Sequence, residues 1–219
     1  MNNLRLSDVS VDTWVQGEPV DLDSLSGSVV LIEVFQVNCP GCFLYALPAA
    51  IQLYEKYHDR GLEVIGLATA FEDYDKNTLD NLKLLVNTSE VIGETYKALS
   101  QRGLLIGTGK LPWKLPFAVA MDRVVPDNEP VTDARVLAYS RQLLSQFDRL
   151  PEEQQRSILN QVRTFMEQKI MAAETFERFA LQGTPSALLF DRKGALHNVS
   201  FGQVDYKERI IEQLLAQSG

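Results

Sequence analysis

An apolar run, Val29-Val30-Leu31-Ile32-Glu33-Val34-Phe35, stops just short of Cys39-Pro40-Gly41-Cys42, and a helical pattern follows at once. The run is rich in β-branched and aromatic residues with one charged interruption, the signature of a strand covered on both faces. Residues 43–60 read as a helix, Gly61 breaks it, and Leu62-Glu63-Val64-Ile65-Gly66-Leu67-Ala68 reads as a second strand. Strand, helix and strand at this spacing form a βαβ unit with parallel strands. A chain organised around such a unit is α/β, with a central sheet between helices.

The flanking sequence extends this core. Residues 11–20, with Trp14, Gly17 and Pro19, suggest a short N-terminal hairpin, and residues 22–27 a turn into the first central strand. Residues 78–86 and 89–102 read as helices and 116–122 as a third strand. The pattern then changes. Asp127-Asn128-Glu129-Pro130 is a linker, Thr132 is a good N-cap, and residues 133–147 place Val136, Leu137, Ser140, Leu143, Leu144 and Phe147 at helical spacing. Pro151 opens another helix through Ile158, Val162, Phe165 and Met166 to about Met171. Two consecutive amphipathic helices predict a helical hairpin over 123–173, inserted into a single domain spanning 1–219. Residues 183–191 then read as a strand, 192–194 as a turn, 195–202 as the returning arm, and 206–216 as a closing helix.

Charge and cysteine usage narrow the chemistry. A net charge of −8 argues against nucleic acid or an anionic membrane as partner, because both require clustered Lys and Arg. The first residues carry no basic-then-apolar leader, and no stretch approaches the roughly 18 apolar residues of a membrane span, so the expected location is the cytoplasm. There a lone cysteine pair reads as catalytic or metal-binding rather than structural. A cysteine in the first turn of a helix has its thiolate stabilised by free backbone N–H groups and the helix dipole, which lowers its pKa below the usual value of about 8.5. Zinc would need four ligands, and the only histidines, His58 and His197, lie far apart, so no metal is expected. Glu72-Asp73-Tyr74-Asp75-Lys76-Asn77 resembles the opening of a calcium loop, but Thr78 and Leu84 stand where an EF-hand needs Gly and Glu. This loop follows a parallel strand and is expected on the cysteine rim, as an acidic lip.

Four motifs occur in order: the strand–CPGC–helix, Gly61-Leu62-Glu63-Val64-Ile65-Gly66, Pro116-Phe117-Ala118-Val119-Ala120-Met121-Asp122, and Gly183-Thr184-Pro185 before Leu188-Leu189-Phe190-Asp191-Arg192-Lys193-Gly194. With them the chain resembles the thioredoxin-fold redoxins of the TlpA-like and alkyl hydroperoxide reductase/thiol-specific antioxidant superfamily, over residues 10–122 and 174–217. The resemblance implies a thioredoxin-like fold and thiol–disulfide exchange without a cofactor. Its substrate would be a protein or small-molecule disulfide, and a cellular dithiol would return the electrons. It makes Cys39 the attacking thiol and Cys42 the resolving one. It makes Glu33 a buried acid that takes the proton of Cys42; a strand-end carboxylate reaching water is the other reading. Pro185 matches a cis-proline that leaves the Thr184 backbone free for substrate, the other reading being a trans proline at an edge strand. Pro40, Gly41 and Asn38 border the thiol as further binding positions.

Three departures stand out. Asn38 occupies the place where a Trp often precedes the first cysteine. Pro48 stands six residues past Cys42, one more than in many relatives, which moves the expected helix kink. The segment 123–173 exceeds the minimal fold. A thiol peroxidase with an antioxidant role is a competing reading, but such enzymes place Thr or Ser three residues, and Pro seven, before the reactive cysteine, where this chain has Gln36 and Ile32. A third reading is a redox-sensing interaction module that recruits a partner through the inserted helices.

Overall fold

The computed structural model describes residues 4–144, 146–203 and 207–217. In chain order the first elements are β1 (Val11–Gln16), β2 (Val29–Phe35), α1 (Leu47–Tyr57), β3 (Leu62–Ala68), α2 (Leu79–Thr88), α3 (Gly93–Gln101) and β4 (Ala118–Asp122). Then come β5 (Val124–Pro126), α4 (Asp133–Leu143), α5 (Glu152–Gln168), β6 (Met171–Ala173), α6 (Glu174–Arg178), β7 (Ser186–Phe190), β8 (Leu196–Phe201) and α7 (Lys207–Leu215). The chain divides into two compact units, one formed by residues 1–123 and 173–219 and the other by residues 124–172.

The larger unit is built on a mixed six-stranded sheet in the order β1-β4-β3-β2-β7-β8. Strand β2 runs parallel to β3, and β3 to β4, while β1, β7 and β8 join antiparallel. Every residue of β2 is buried, including Glu33, which accounts for its nearly unbroken apolar sequence. On α1, Leu47, Ala50, Leu53 and Tyr57 recur at helical spacing and form the buried stripe. Gly61 ends the helical stretch because it accepts a left-handed φ of 93°; its carbonyl then receives the N–H of Val29 at 2.9 Å, which aligns the start of β2. The α1 and α7 helices lie together on one face of the sheet: the Tyr57 hydroxyl sits 2.8 and 2.7 Å from carboxylate oxygens of Glu208 and Glu212, and Lys56 pairs with Glu208 at 2.7 Å.

The expected N-terminal hairpin is instead a single strand. β1 pairs with β4, from Val11 opposite Asp122 to Gln16 opposite Val119, rather than with a neighbouring arm. The Gln16 amide donates to the carbonyls of Leu115 and Phe117 at 2.7 and 2.6 Å, fastening the end of β1 beside β4. Gly17 then turns at positive φ, and Pro19, which lacks an N–H, cannot build a returning ladder. The expected start of the last helix at Tyr206 lies outside the described residues.

The smaller unit packs α4 against α5 around Val136, Val162 and Met166, with Tyr139, Leu143, Ile158 and Leu159 at the margin. The hydroxyl of Thr132 accepts the N–H of Arg135 at 3.2 Å, the capping bond expected from the sequence. The first helix stops at Leu143, earlier than its apolar spacing indicated, and the buried Phe147 belongs to a separate 3₁₀ turn, Phe147–Arg149. A short ladder of β5 with β6 brings the ends of this segment together. Among the described residues no helix is long and apolar enough to cross a membrane.

Candidate active site

Beyond β2 the chain passes through Gln36, Val37 and Asn38 to Cys39, and Pro40 and Gly41 are already helical. Proline suits that first helical position, since its missing N–H would have had no partner there. Cys39 and Cys42 form a disulfide with their Cα atoms 5.4 Å apart. Cys39 is 9% exposed and Cys42 fully buried, so of the two residues only Cys39 keeps any access to solvent. The backbone N–H of Cys42 points at Cys39 Sγ over 3.2 Å. On reduction that donor, together with the helix N-terminus, would stabilise a thiolate on Cys39. Residues Cys42–Ala46 form a π-helical turn in which Leu47 N–H bonds the Cys42 carbonyl. Pro48 is the physical reason: it offers no N–H to Leu44, and its ring would crowd that carbonyl in a regular helix. The expected distortion at Pro48 thus takes the form of a wide turn on its N-terminal side.

The loop before β7 supplies the opposite wall. The Thr184–Pro185 peptide is cis. Cys39 Sγ lies 3.6 Å from the Thr184 carbonyl oxygen, and the open side of Gly41 faces Pro185 Cδ. The Pro185 carbonyl accepts Gly202 N–H at 2.8 Å, which ties the loop to the end of β8. Thr184 Oγ1 donates to Gln36 Oε1 at 3.0 Å, and Gln36 Nε2 donates to the Glu72 carbonyl at 3.3 Å. Thus one buried glutamine connects the proline loop to the acidic loop.

Asn38 does something the sequence did not suggest. Its Oδ1 accepts the N–H of Glu94 at 2.7 Å in the first turn of α3, its Nδ2 donates to Asp73 Oδ2 at 2.8 Å, and its own N–H reaches Asn77 Oδ1 at 3.0 Å. Thr95, fully buried, adds a bond from its hydroxyl to the Val37 carbonyl at 2.8 Å. The segment leading to Cys39 is therefore clamped from α3 and from the loop 72–77. The amide nitrogens of Gln36 and Asn38, the two polar side chains that precede Cys39, are taken by the Glu72 carbonyl and the Asp73 carboxylate. The acidic loop is next to the cysteine loop, as expected, and burial, reinforced by Asp73, raises the pKa of Glu72.

The clamp depends on Gly93, whose φ is +56° and where a Cβ would overlap Asn38 Oδ1. Gly93→Ala is expected to lower the unfolding free energy by about 1–3 kcal/mol, through the left-handed backbone and the lost Asn38–Glu94 bond. Chemical denaturation checks it: an unchanged midpoint would mean that the clamp carries no stability.

Glu33 is 1% exposed, which removes the reading of a strand-end carboxylate in water. Residue alternation puts it on the same face of β2 as Phe35, whose ring meets Phe43 of the π-helical turn edge-on at 6.3 Å. Lys207 Nζ, at the start of α7, lies 3.0 Å from Glu33 Oε2. Burial raises the pKa of Glu33, and the charge and hydrogen bond of Lys207 oppose that rise. Lys207 escaped the sequence reading, although a signal existed: a lysine opening a helix faces the wrong end of the dipole. His58 stacks on Tyr54 at 4.5 Å and Trp113 on Phe43 at 6.4 Å, both as packing groups. Among the described residues no cluster of three or more His, Cys, Asp or Glu is gathered to hold a metal.

Comparison with known proteins gives a consistent picture. No protein-family model matches the chain. A thiol-disulfide isomerase from Corynebacterium glutamicum is 27% identical, with 99% of each chain covered at a TM-score of 0.59. A thioredoxin-like superfamily protein of known structure is 21% identical, with 98% of each chain covered at a TM-score of 0.60, and bears on the fold alone. A stretch of 59 residues, 27% of this chain, is 41% identical to Protein DipZ of Mycobacterium tuberculosis, and the match spans 8% of that relative's length. The chain has a thioredoxin-like fold and carries a disulfide-bonded cysteine pair in CXXC spacing.

Proposed function

We propose that the Cys39–Cys42 pair exchanges electrons with the disulfide of a protein or small molecule, and that a cytoplasmic dithiol restores its reduced form. The observation that carries this reading is the asymmetry of the pair. Cys39, the less buried of the two at 9% exposure, has its sulfur beneath a backbone donor and beside the Thr184 carbonyl, and its partner is sealed one turn into the helix. We read residues 1–219 as one thioredoxin-like domain in which the helical unit is an insertion.

In the forward step Cys39 thiolate attacks one sulfur of the substrate disulfide. The substrate S–S bond breaks, a mixed disulfide forms, and the other substrate sulfur leaves as thiolate with the bonding electron pair. Cys42 then gives its proton to Glu33 and attacks Cys39 Sγ. The mixed disulfide breaks, the second substrate thiolate departs, and the protein holds the disulfide seen here. The substrate gains two electrons, which the external dithiol later returns. Thr184 and Pro185, with Pro40 and Gly41, border Cys39 and would align the substrate segment, while Asn38 acts by holding the cysteine loop in place.

A Cys42→Ser chain, unable to resolve, tests this directly. Incubated with cell extract, it is expected to accumulate covalent adducts that dithiothreitol releases, and a Cys39→Ser chain is expected to give none. Adducts that persist without Cys39 would overturn its assignment as the attacking thiol. An extract that yields no adduct would restrict the substrates to small disulfides.

A further inference from the structure

The loop ahead of β7 is tied down on more than one side. The Ser186 hydroxyl donates to the Gly183 carbonyl at 2.7 Å, and the Pro185 carbonyl accepts the N–H of Gly202 at 2.8 Å. Both bonds stay among β7, β8 and the loop itself. The Thr184 hydroxyl instead crosses to the segment that leads from β2 to Cys39, where it donates to Gln36 Oε1 at 3.0 Å. Gln36 is 2% exposed, and an amide so buried is costly unless its polar ends are bonded. Its nitrogen reaches the Glu72 carbonyl at 3.3 Å, which also receives Asn77 Nδ2 at 2.9 Å. Asn77, 4% exposed, in turn accepts the N–H of Asn38 at 3.0 Å. A buried polar network bonded at each member fixes one arrangement of the segments it joins. Here it fixes the cysteine segment against the proline loop, with Cys39 Sγ 3.6 Å from the Thr184 carbonyl oxygen. The hydroxyl bond also holds χ1 of the β-branched Thr184, and with it the setting of its peptide group. A small disulfide has only to present its sulfur to Cys39. An extended polypeptide must in addition lay its main chain along residues 184–185, where a turned peptide group forfeits a hydrogen bond.

We propose that Gln36 is a positioning residue for polypeptide substrates: by bonding the Thr184 hydroxyl it sets the peptide group ahead of Pro185 against which a substrate main chain lies, and so gives the chain its preference for polypeptide over small-molecule disulfides. The inference rests on the exchange reaction proposed above and on the alignment of substrate by Thr184 and Pro185, and it commits that site to an extended polypeptide.

Two substrates with one leaving group separate alignment from chemistry. One is a short unstructured peptide whose single cysteine is disulfide-bonded to thionitrobenzoate, and the other is 2-mercaptoethanol bonded to the same group. In each, the thiolate of reduced Cys39 attacks the peptide or mercaptoethanol sulfur, the substrate S–S bond breaks, and thionitrobenzoate leaves with the bonding electron pair. Stopped-flow release of thionitrobenzoate gives a half-saturating concentration and a limiting rate. The parent is expected to saturate with the peptide at the lower concentration. Gln36→Met keeps the length of the side chain and removes both of its bonds. It is expected to lower the second-order rate constant for the peptide about tenfold and to leave that for the mercaptoethanol substrate within about twofold. The loss should fall on the half-saturating concentration and not on the limiting rate, because main-chain pairing holds ground state and transition state alike. Thr184→Val should show the same loss for the peptide, and Gln36→Met in a Thr184→Val background should add nothing further. A loss shared equally by the two substrates would overturn the inference, and so would an unchanged peptide reaction or losses that add in the double variant. Should Gln36→Met not fold, Gln36→Leu carries the same expectations. A parent that does not favour the peptide would remove the alignment by Thr184 and Pro185 and the inference with it, whereas a parent that releases no thionitrobenzoate from either substrate would remove the exchange reading itself.

Discussion

Replacement of Asp127 by alanine is expected to remove about 3–5 kcal/mol from the helical unit, the scale on which a buried ion pair responds when one partner is deleted. The Asp127 side chain is 4% exposed and receives Lys169 Nζ at 2.9 Å and Arg135 Nη2 at 2.8 Å, cations that are themselves 7% and 20% exposed. Arg135 also donates to the Glu129 carbonyl at 2.7 Å, and the N–H of Asp127 bonds the Ile170 carbonyl at 3.1 Å. One carboxylate therefore fastens the linker to the first turn of α4 and to the chain just beyond α5. Burial by itself would raise its pKa, but hydrogen bonds from Lys169 and then Arg135 carry it below the ordinary aspartate value. A carboxylate with a depressed folded pKa contributes stability that is complete above the unfolded value of about 3.9 and is lost as pH falls through the folded one. Hydrogen exchange across residues 124–172 measures the effect. Protection should collapse in Asp127→Ala at neutral pH, and in the parent chain only in acid. Retained protection in the variant would show that the apolar contacts of Val136, Val162 and Met166 hold the unit by themselves.

The second large effect is expected from Glu33→Gln, which keeps the shape of the side chain and removes the base. General-base assistance contributes about 10²–10⁴ in rate, so resolution by Cys42 should slow at least a hundredfold while attack by Cys39 proceeds as before. The parent's rate should rise with pH as Glu33 ionises, and the variant should lose that limb. Stability carries an independent mark of the same group. Since burial holds the folded pKa of Glu33 above its unfolded value, folding favours the protonated carboxyl. Its contribution is present below the unfolded value of about 4.3 and is lost as pH rises through the folded one. Denaturant titrations of parent and variant over that interval should diverge in this sense. Equal resolution rates in the two proteins would remove Glu33 from the proton transfer.

The residue pattern alone reached far into this molecule where the physics is local. Apolar strands covered on both faces must be nearly continuous in Val, Ile, Leu and Phe, so β2, β3, β4 and β7 could be read directly from sequence. Helix propensity, the Thr132 cap, Gly61 and the proline positions similarly announced α1, α4 and α5. The cysteine spacing placed the sulfurs one helical turn apart, and Glu33 stood out as the single charge in an apolar strand.

What required tertiary structure were relations between residues remote in sequence. β1 finds β4 rather than a hairpin partner, because pairing is decided by which edge of the assembled sheet is open. Asn38 bonds groups 35, 39 and 56 residues away, and Glu33 meets a lysine 174 residues on. No periodicity encodes such encounters, since a hydrogen bond or ion pair depends on distance in space, and only the folded sheet and its helices bring those atoms within 3 Å.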